Sequence, residues 1–152
     1  MKITSINEEG LKLIMKYEGF SATPYLCPAG VPTIGYGTTR YSDGTKVTMK
    51  DEAITKEQAI EILKEQVKNY ELAVDAMTTD KVNQNQFNAL VSFAYNLGVN
   101  ALKKSNLLRV INLNIWDGKI EREFNKWVYA NGRVLKGLQK RRNDESKMYF
   151  KK

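Results

Sequence analysis

The segment KYEGFSATPYLCPAGVPTIGYGTT, residues 16–39, decides the reading of this chain. It begins where a helical pattern ends, places a glutamate directly before a glycine, and then turns to prolines, glycines, β-branched and aromatic residues. Ahead of it, Ile6, Leu13, Ile14 and Tyr17, with Leu11 alongside, recur at helical spacing. Glu18 falls one turn beyond Ile14, at the rim of that apolar face. Ser5-Ile6-Asn7-Glu8 has the form of a capping box and Gly19 is a natural terminator, which predicts a helix over 6–18.

Working outward, TIGYGTT (33–39) reads as a strand, Ser42-Asp43-Gly44 as a tight turn, and TKVTM (45–49) as the returning strand. A small twisted antiparallel sheet of two or three strands is expected. Thr55-Lys56-Glu57-Gln58 is a second capping box. Behind it Ala59, Ile60, Leu63, Val67, Tyr70, Val74 and Met77 keep a helical period over about twenty residues, enough to bridge two lobes. NQNQFNALVSFAYNLG (83–98) predicts another helix, and further helices are expected at 100–113, 117–130 and 135–150. The fold class is α+β: a small N-terminal antiparallel sheet lobe joined by a long helix to a helical C-terminal lobe. Residues 1–152 are expected to form one domain, with sub-lobes of about 16–55 and 56–152 plus helix 6–18.

At 152 residues, 42% of them apolar, the chain can bury a core without covalent staples. A single cysteine excludes an internal disulfide, and the absence of histidine excludes a His-based triad and the usual His/Cys zinc site. The formal net charge of +7 favours polyanions in general: nucleic acid, anionic lipid or an acidic cell envelope. No apolar run approaches the roughly 20 residues that span a bilayer. The early acids of MKITSINEEGLKLIMKYEG suit neither a signal peptide nor an anchor, so the chain is expected to stay in the compartment where it is made. The basic, amphipathic stretch 135–152 reads as a last core helix with a solvated face, or as a lipid-perturbing one.

The chemistry suggested by Glu18, Cys27 and Thr33 is glycoside hydrolysis. A carboxylic acid at the edge of an apolar face tends to hold its proton, because desolvation disfavours the anion. Such a group can protonate a departing glycosidic oxygen, while a second group across the sugar ring acts as base, nucleophile or stabiliser of an oxocarbenium-like transition state. Glu18 suits the first role, and Cys27 with Thr33 the second. Gly35 and Gly37 would let a sugar chain approach the strand, with Tyr25 and Tyr36 as flat surfaces. Spacing alone leaves the bland readings open: a solvated helix end, a small buried cysteine and a threonine present for β-propensity.

These motifs resemble the phage-type lysozymes, glycoside hydrolase family 24. That family has a Glu, eight residues, an Asp, five residues and a Thr, followed by a T-I-G-Y-G strand. This chain has KYEGFSATPY and TIGYG at that spacing. SFAYNLGVNALKKSNLL (92–108) and FNKWVYANGRVLKGLQKRRNDESKMYF (124–150) are similar to the family's later blocks, in the same order. The resemblance implies a muramidase that hydrolyses the β-1,4 bond between N-acetylmuramic acid and N-acetylglucosamine in bacterial peptidoglycan, with no metal and no cofactor. It assigns Glu18 as catalytic acid and Thr33 as the water-positioning threonine. Tyr25, Tyr36, Thr39, Tyr95, Asn96 and Ser105 become candidates for substrate binding, and Arg141 and Arg142 match an arginine pair expected to make structural ion pairs. A monomer is implied, made in the host cytoplasm and dependent on holin-made lesions to reach the wall. Nucleic acid is not an expected partner, the basic surface serving attraction to an anionic envelope.

The chain departs from the family twice. Thr38 stands where a histidine is usual. More consequentially, Cys27 stands at the aspartate position. A free thiol has a pKa of about 8.5 and is mostly neutral at pH 7. Three roles are open to Cys27: a base with a stabilised thiolate, a sulfur nucleophile forming a covalent glycosyl-enzyme, or a packing residue only. Rival readings are a lytic transglycosylase, which needs only one acid, and a wall-binding module with weak chemistry.

Overall fold

The computed structural model describes residues 2–152. The chain resolves into two compact units, Ile14–Asn69 and a larger one comprising the N-terminal segment up to Leu13 together with Tyr70–Lys152. Helices α1 (Glu8–Glu18) and α2 (Lys56–Met77) each run from one unit into the other.

In the smaller unit, α1 ends at Glu18, where Gly19 takes a positive φ of 70°. Strands β1 (Ser21–Leu26) and β2 (Pro32–Gly35) then pair antiparallel, with Tyr25 opposite Thr33 and Leu26 opposite Pro32. The sheet is antiparallel and small as expected, but its pairing differs from the sequence reading. The strand stops at Gly35 because Gly35 and Gly37 both have positive φ, 63° and 78°, and the chain leaves the extended region. Its partner is 21–26, not 45–49. The turn at 42–44 does form, yet the returning segment keeps only one bridge, Arg40 to Lys46. Ile14, Ile34, Tyr36, Val47, Ala59, Leu63 and Val67 are the buried apolar residues of this unit.

The box at Thr55 is present as read: the Thr55 hydroxyl accepts from the Gln58 amide at 3.0 Å, and the Gln58 side chain accepts from Thr55 N–H at 2.8 Å. The box at Ser5 is not what starts α1. Asn7 caps it instead, accepting from Gly10 N–H at 3.2 Å. A long-range contact makes that choice. Asn88 donates to the Asn7 side chain at 2.7 Å and accepts from its backbone N–H at 3.3 Å.

The larger unit is built around α3 (Gln84–Leu97), capped by a reciprocal Asn83–Gln86 box. The sequence places Phe87, Leu90, Val91 and Ala94 on one stripe. The structure buries every residue from Gln86 to Ala94. A helix enclosed all round is the centre of its unit. It packs on α7 (Lys136–Phe150), which also packs on α6 (Ile120–Asn125). Phe93 and Phe124 stack edge to face with ring centres 5.9 Å apart. Burying each such side chain stabilises the fold by roughly 1.5–3 kcal/mol.

Two expected helices are divided. Ser105 separates α4 (Val99–Lys104) from α5 (Asn106–Leu113), its hydroxyl donating to Leu102 C=O at 2.7 Å and accepting from Leu108 N–H at 3.0 Å. The expected helix 117–130 ends at Asn125, and a short hairpin follows, β3 (Tyr129–Ala130) with β4 (Arg133–Val134). Asn131 and Gly132 adopt φ of 52° and 75°, the pair of positive values that an Asn-Gly hairpin turn requires.

Candidate active site

Glu18 is the last residue of α1 and is half-buried. The helix dipole favours cations at that end by roughly 0.3–1 kcal/mol, so helix stability does not explain an acid there. The carboxyl lies against the glycine-rich turn. A β-carbon at Gly37 would stand 2.6 Å from Glu18 Oε1. At Gly35 a β-carbon would stand 3.2 Å from the Ala59 β-carbon of α2. The sequence reading offered both glycines to a sugar chain. Instead they serve the protein's own packing, Gly37 by admitting the Glu18 carboxylate and Gly35 by admitting α2.

Cys27 sits at the mouth of the β1–β2 hairpin. Its amide donates to Val31 C=O at 3.1 Å and its carbonyl accepts from Gly30 N–H at 2.7 Å, which closes a five-residue loop around the sulfur. The Val31 and Ala29 backbones, in that order, hold the thiol below its ordinary value by hydrogen bonding to the sulfur, and the Thr33 side chain adds to them. The stabilising groups are thus backbone dipoles and a hydroxyl. Thr33 is 3% exposed, opposite Tyr25 on the hairpin. Its hydroxyl carries one proton and has two acceptors for it, the Val31 carbonyl at 2.8 Å and the Cys27 sulfur. The carbonyl contact is the one with established geometry; when the sulfur ionises, the thiolate becomes the stronger acceptor.

Burial pushes the Tyr25 phenol up first, and negative charge at Glu18 and at Cys27 pushes in the same direction. The phenol therefore lies within the field of both groups. Glu18, Tyr25, Cys27 and Thr33 are gathered in the smaller unit. Tyr36 is in the same unit but only 3% exposed, its ring 5.6 Å from that of Phe20, so it is packed and not offered to solvent. Thr39 is exposed, and its carbonyl accepts from Val47 N–H at 2.9 Å. Thr38, in the place of the usual histidine, is buried and donates to the Gln66 side chain at 3.2 Å; Gln66 in turn donates to the Arg40 carbonyl.

The remaining sequence candidates lie in the larger unit. Tyr95 is half-buried with its ring 5.1 Å from Tyr70. Asn96 accepts from Arg142 at 2.7 Å. The Ser105 hydroxyl is committed to the backbone at the α4–α5 junction. Arg141 and Arg142 are buried and flank Glu145, also buried. Arg142 Nε lies 2.7 Å from Glu145 Oε1, an ion pair outside hydrogen-bond alignment, and Arg141 Nε lies 3.3 Å from Oε2. Ser92 donates to the same Oε2 at 2.6 Å. Burial pushes the Glu145 carboxyl up while both guanidiniums pull it down. Among the described residues no three His, Cys, Asp or Glu side chains come together to hold a metal ion.

The arrangement is lysozyme-like, and comparison with known proteins agrees. A family model described as "Phage lysozyme" matches residues 15–145. An endolysin of Bacillus phage B103 is 37% identical over 146 residues, which span 96% of this chain and 54% of that protein. An endolysin of Acyrthosiphon pisum secondary endosymbiont phage 1 is 36% identical over 148 residues, spanning 95% of this chain and 97% of the relative. The chain thus spans about half the length of the Bacillus phage relative and nearly all of the second. Among solved structures, an endolysin from Escherichia coli O157:H7 phage FAHEc1 superposes with a TM-score of 0.88 at 33% identity, covering 96% of this chain and 93% of that one. Fold and motifs together define the lysozyme-type glycosidase class. Within it, the chain belongs to the phage lysozyme family. No helix among the described residues is long and apolar enough to cross a membrane.

Proposed function

We propose that this protein is an endolysin-type muramidase, which hydrolyses the β-1,4 bond between N-acetylmuramic acid and N-acetylglucosamine in peptidoglycan. The observation that carries the reading is the Glu18 carboxyl seated on Gly37, in the same unit as the sulfur loop of Cys27. Glu18 donates its proton to the bridging oxygen as the glycosidic bond breaks and positive charge develops on the sugar ring. The Cys27 thiolate, supported by backbone dipoles and Thr33, takes a proton from a water molecule, whose oxygen bonds to the anomeric carbon. Glu18 is then reprotonated and Cys27 deprotonated through solvent. Tyr25, 37% exposed, offers its ring to a sugar face, and the exposed Thr39 offers a hydroxyl.

Release of reducing ends from purified peptidoglycan tests the assignment. Glu18→Gln and Cys27→Ala are expected to abolish most of it, and Cys27→Asp to retain it. Full activity in Glu18→Gln removes the general acid from the account, and full activity in Cys27→Ala removes the sulfur.

A further inference from the structure

In the larger unit, a groove of about 520 Å³ opens between the end of α2 and the end of α5. Trp116 stands on its wall, 44% exposed, next to Leu113, which is 77% exposed. Large apolar side chains left in water beside a concavity mark a binding surface. The volume falls within the range of small-ligand sites and suits a disaccharide.

The wall is built, not frayed. Asn114 caps α5, donating to Val110 C=O at 2.9 Å, and its side-chain oxygen accepts from Trp116 N–H at 3.0 Å. The buried Tyr149 donates to Ile115 C=O at 2.7 Å, which ties the Trp116 loop to α7. The Trp116 ring backs onto Phe150, with centres 6.4 Å apart, and Lys152 Nζ lies 6.0 Å from its centre.

The polar groups of the groove have spare valences. Asn112 uses its amide N–H on Met77 C=O at 2.9 Å, leaving its carbonyl oxygen as an acceptor. Asn114 uses its oxygen, leaving its amide N–H groups as donors. The Trp116 indole N–H and the Lys81 ammonium have no partner among the described residues. A flat ring, amide donors and acceptors, and one uncommitted cation match an N-acetylated sugar carrying a carboxylate. Ring stacking takes the apolar sugar face, the asparagines take the acetamido group, and Lys81 takes the acid. A polyphosphate chain would need a row of cations, where this groove offers Lys81 and, over the Trp116 ring, Lys152.

We propose that the groove at Trp116 is a second glycan-binding site, which holds an N-acetylated, carboxylate-bearing strand of the wall without cleaving it. This rests on the peptidoglycan reading above. It makes the protein bivalent toward its polymer, so residence on intact wall depends on both sites while cleavage of a short fragment depends on one.

The test compares two substrates. Pelleting with purified sacculi measures binding, and turnover of a soluble muropeptide tetrasaccharide measures the Glu18 site alone. Trp116→Ala is expected to weaken sacculus binding about tenfold, and Lys81→Glu severalfold, with tetrasaccharide turnover within twofold of wild type. The exposed Lys81 guards against a folding artefact at Trp116. Wild-type binding in both variants overturns the second site, as does a parallel loss of tetrasaccharide turnover. If the wild-type protein turns over neither substrate, the muramidase reading fails while the pelleting comparison still decides whether the groove binds glycan.

Discussion

Glu18 Oε1 occupies space that a β-carbon at residue 37 would claim, the two positions being 2.6 Å apart, and Gly37 holds a φ of 78° to make this possible. The Glu18 carboxyl and the glycine-rich turn are therefore one device. The sequence shows the two features 19 positions apart and does not show that one is the seat of the other.

Gly37→Ala separates stability from activity. The far end of a glutamate side chain moves aside cheaply, so the stability loss comes mainly from the left-handed backbone, roughly 1–2 kcal/mol. The rate loss comes from the displaced carboxyl, and misplacement by about an ångström can cost on the order of a hundredfold. Gly44→Ala is the control: its φ is 88° and an added β-carbon meets nothing within 4 Å. Thermal melts should show similar losses for the two variants, and wall-clearing assays should single out Gly37→Ala. Equal activity in both would contradict the packing account.

Cys27 should alkylate at lower pH than an ordinary thiol. Donors around the sulfur favour the thiolate, so the folded-state value is lowered and more thiolate is present at neutral pH. Iodoacetamide rates followed against pH are expected to turn over below about 8.5, the value of a free cysteine. Thr33→Val, which removes one donor, should move that midpoint upward. If the thiolate is the base, wall cleavage rises with pH through the same midpoint, and Cys27→Asp shifts that rise toward the aspartate range near 4. A midpoint above 8.5 in the native protein would remove the thiolate from the mechanism.

Glu145→Gln should be among the most destabilising single substitutions in the larger unit. It leaves Arg141 and Arg142 buried without their shared counter-charge, which costs about 3–5 kcal/mol. Denaturant unfolding measures this directly. A loss under 1 kcal/mol would show that solvent or Asn96 and the Trp127 carbonyl satisfy Arg142 unaided.

The parts legible in the sequence were those set by local chemistry. The Thr55 box and the period behind it gave the length of α2, and the glycine after Glu18 gave the end of α1. Ser5-Ile6-Asn7-Glu8 misled because the deciding partner of Asn7 is Asn88, 81 positions away. The sheet was legible as a sheet, but the partner of β2 was not, since either flanking segment could supply one and only the positive φ at Gly35 and Gly37 closes off the later segment. The Asn131-Gly132 turn carried a local signal strong enough to read, hidden inside an apparently continuous helical pattern. At the site, the spacing of Glu18, Cys27 and Thr33 was legible, whereas the donors that favour the Cys27 thiolate are main-chain groups, which side-chain identities do not reveal. Asn96 and Ser105 looked available for substrate because their partners, Arg142 and the Leu102 and Leu108 backbone, emerge only with the fold.

The central claim is that water, activated beside Cys27, replaces the sugar oxygen protonated by Glu18. Digestion of peptidoglycan in ¹⁸O-labelled water, with prompt reduction and mass spectrometry of the muropeptides, tests it most directly. The account predicts one ¹⁸O at the new N-acetylmuramic acid end of each cleaved bond, lost in Glu18→Gln. Unlabelled anhydro-muramic ends would contradict it and make the protein a transglycosylase.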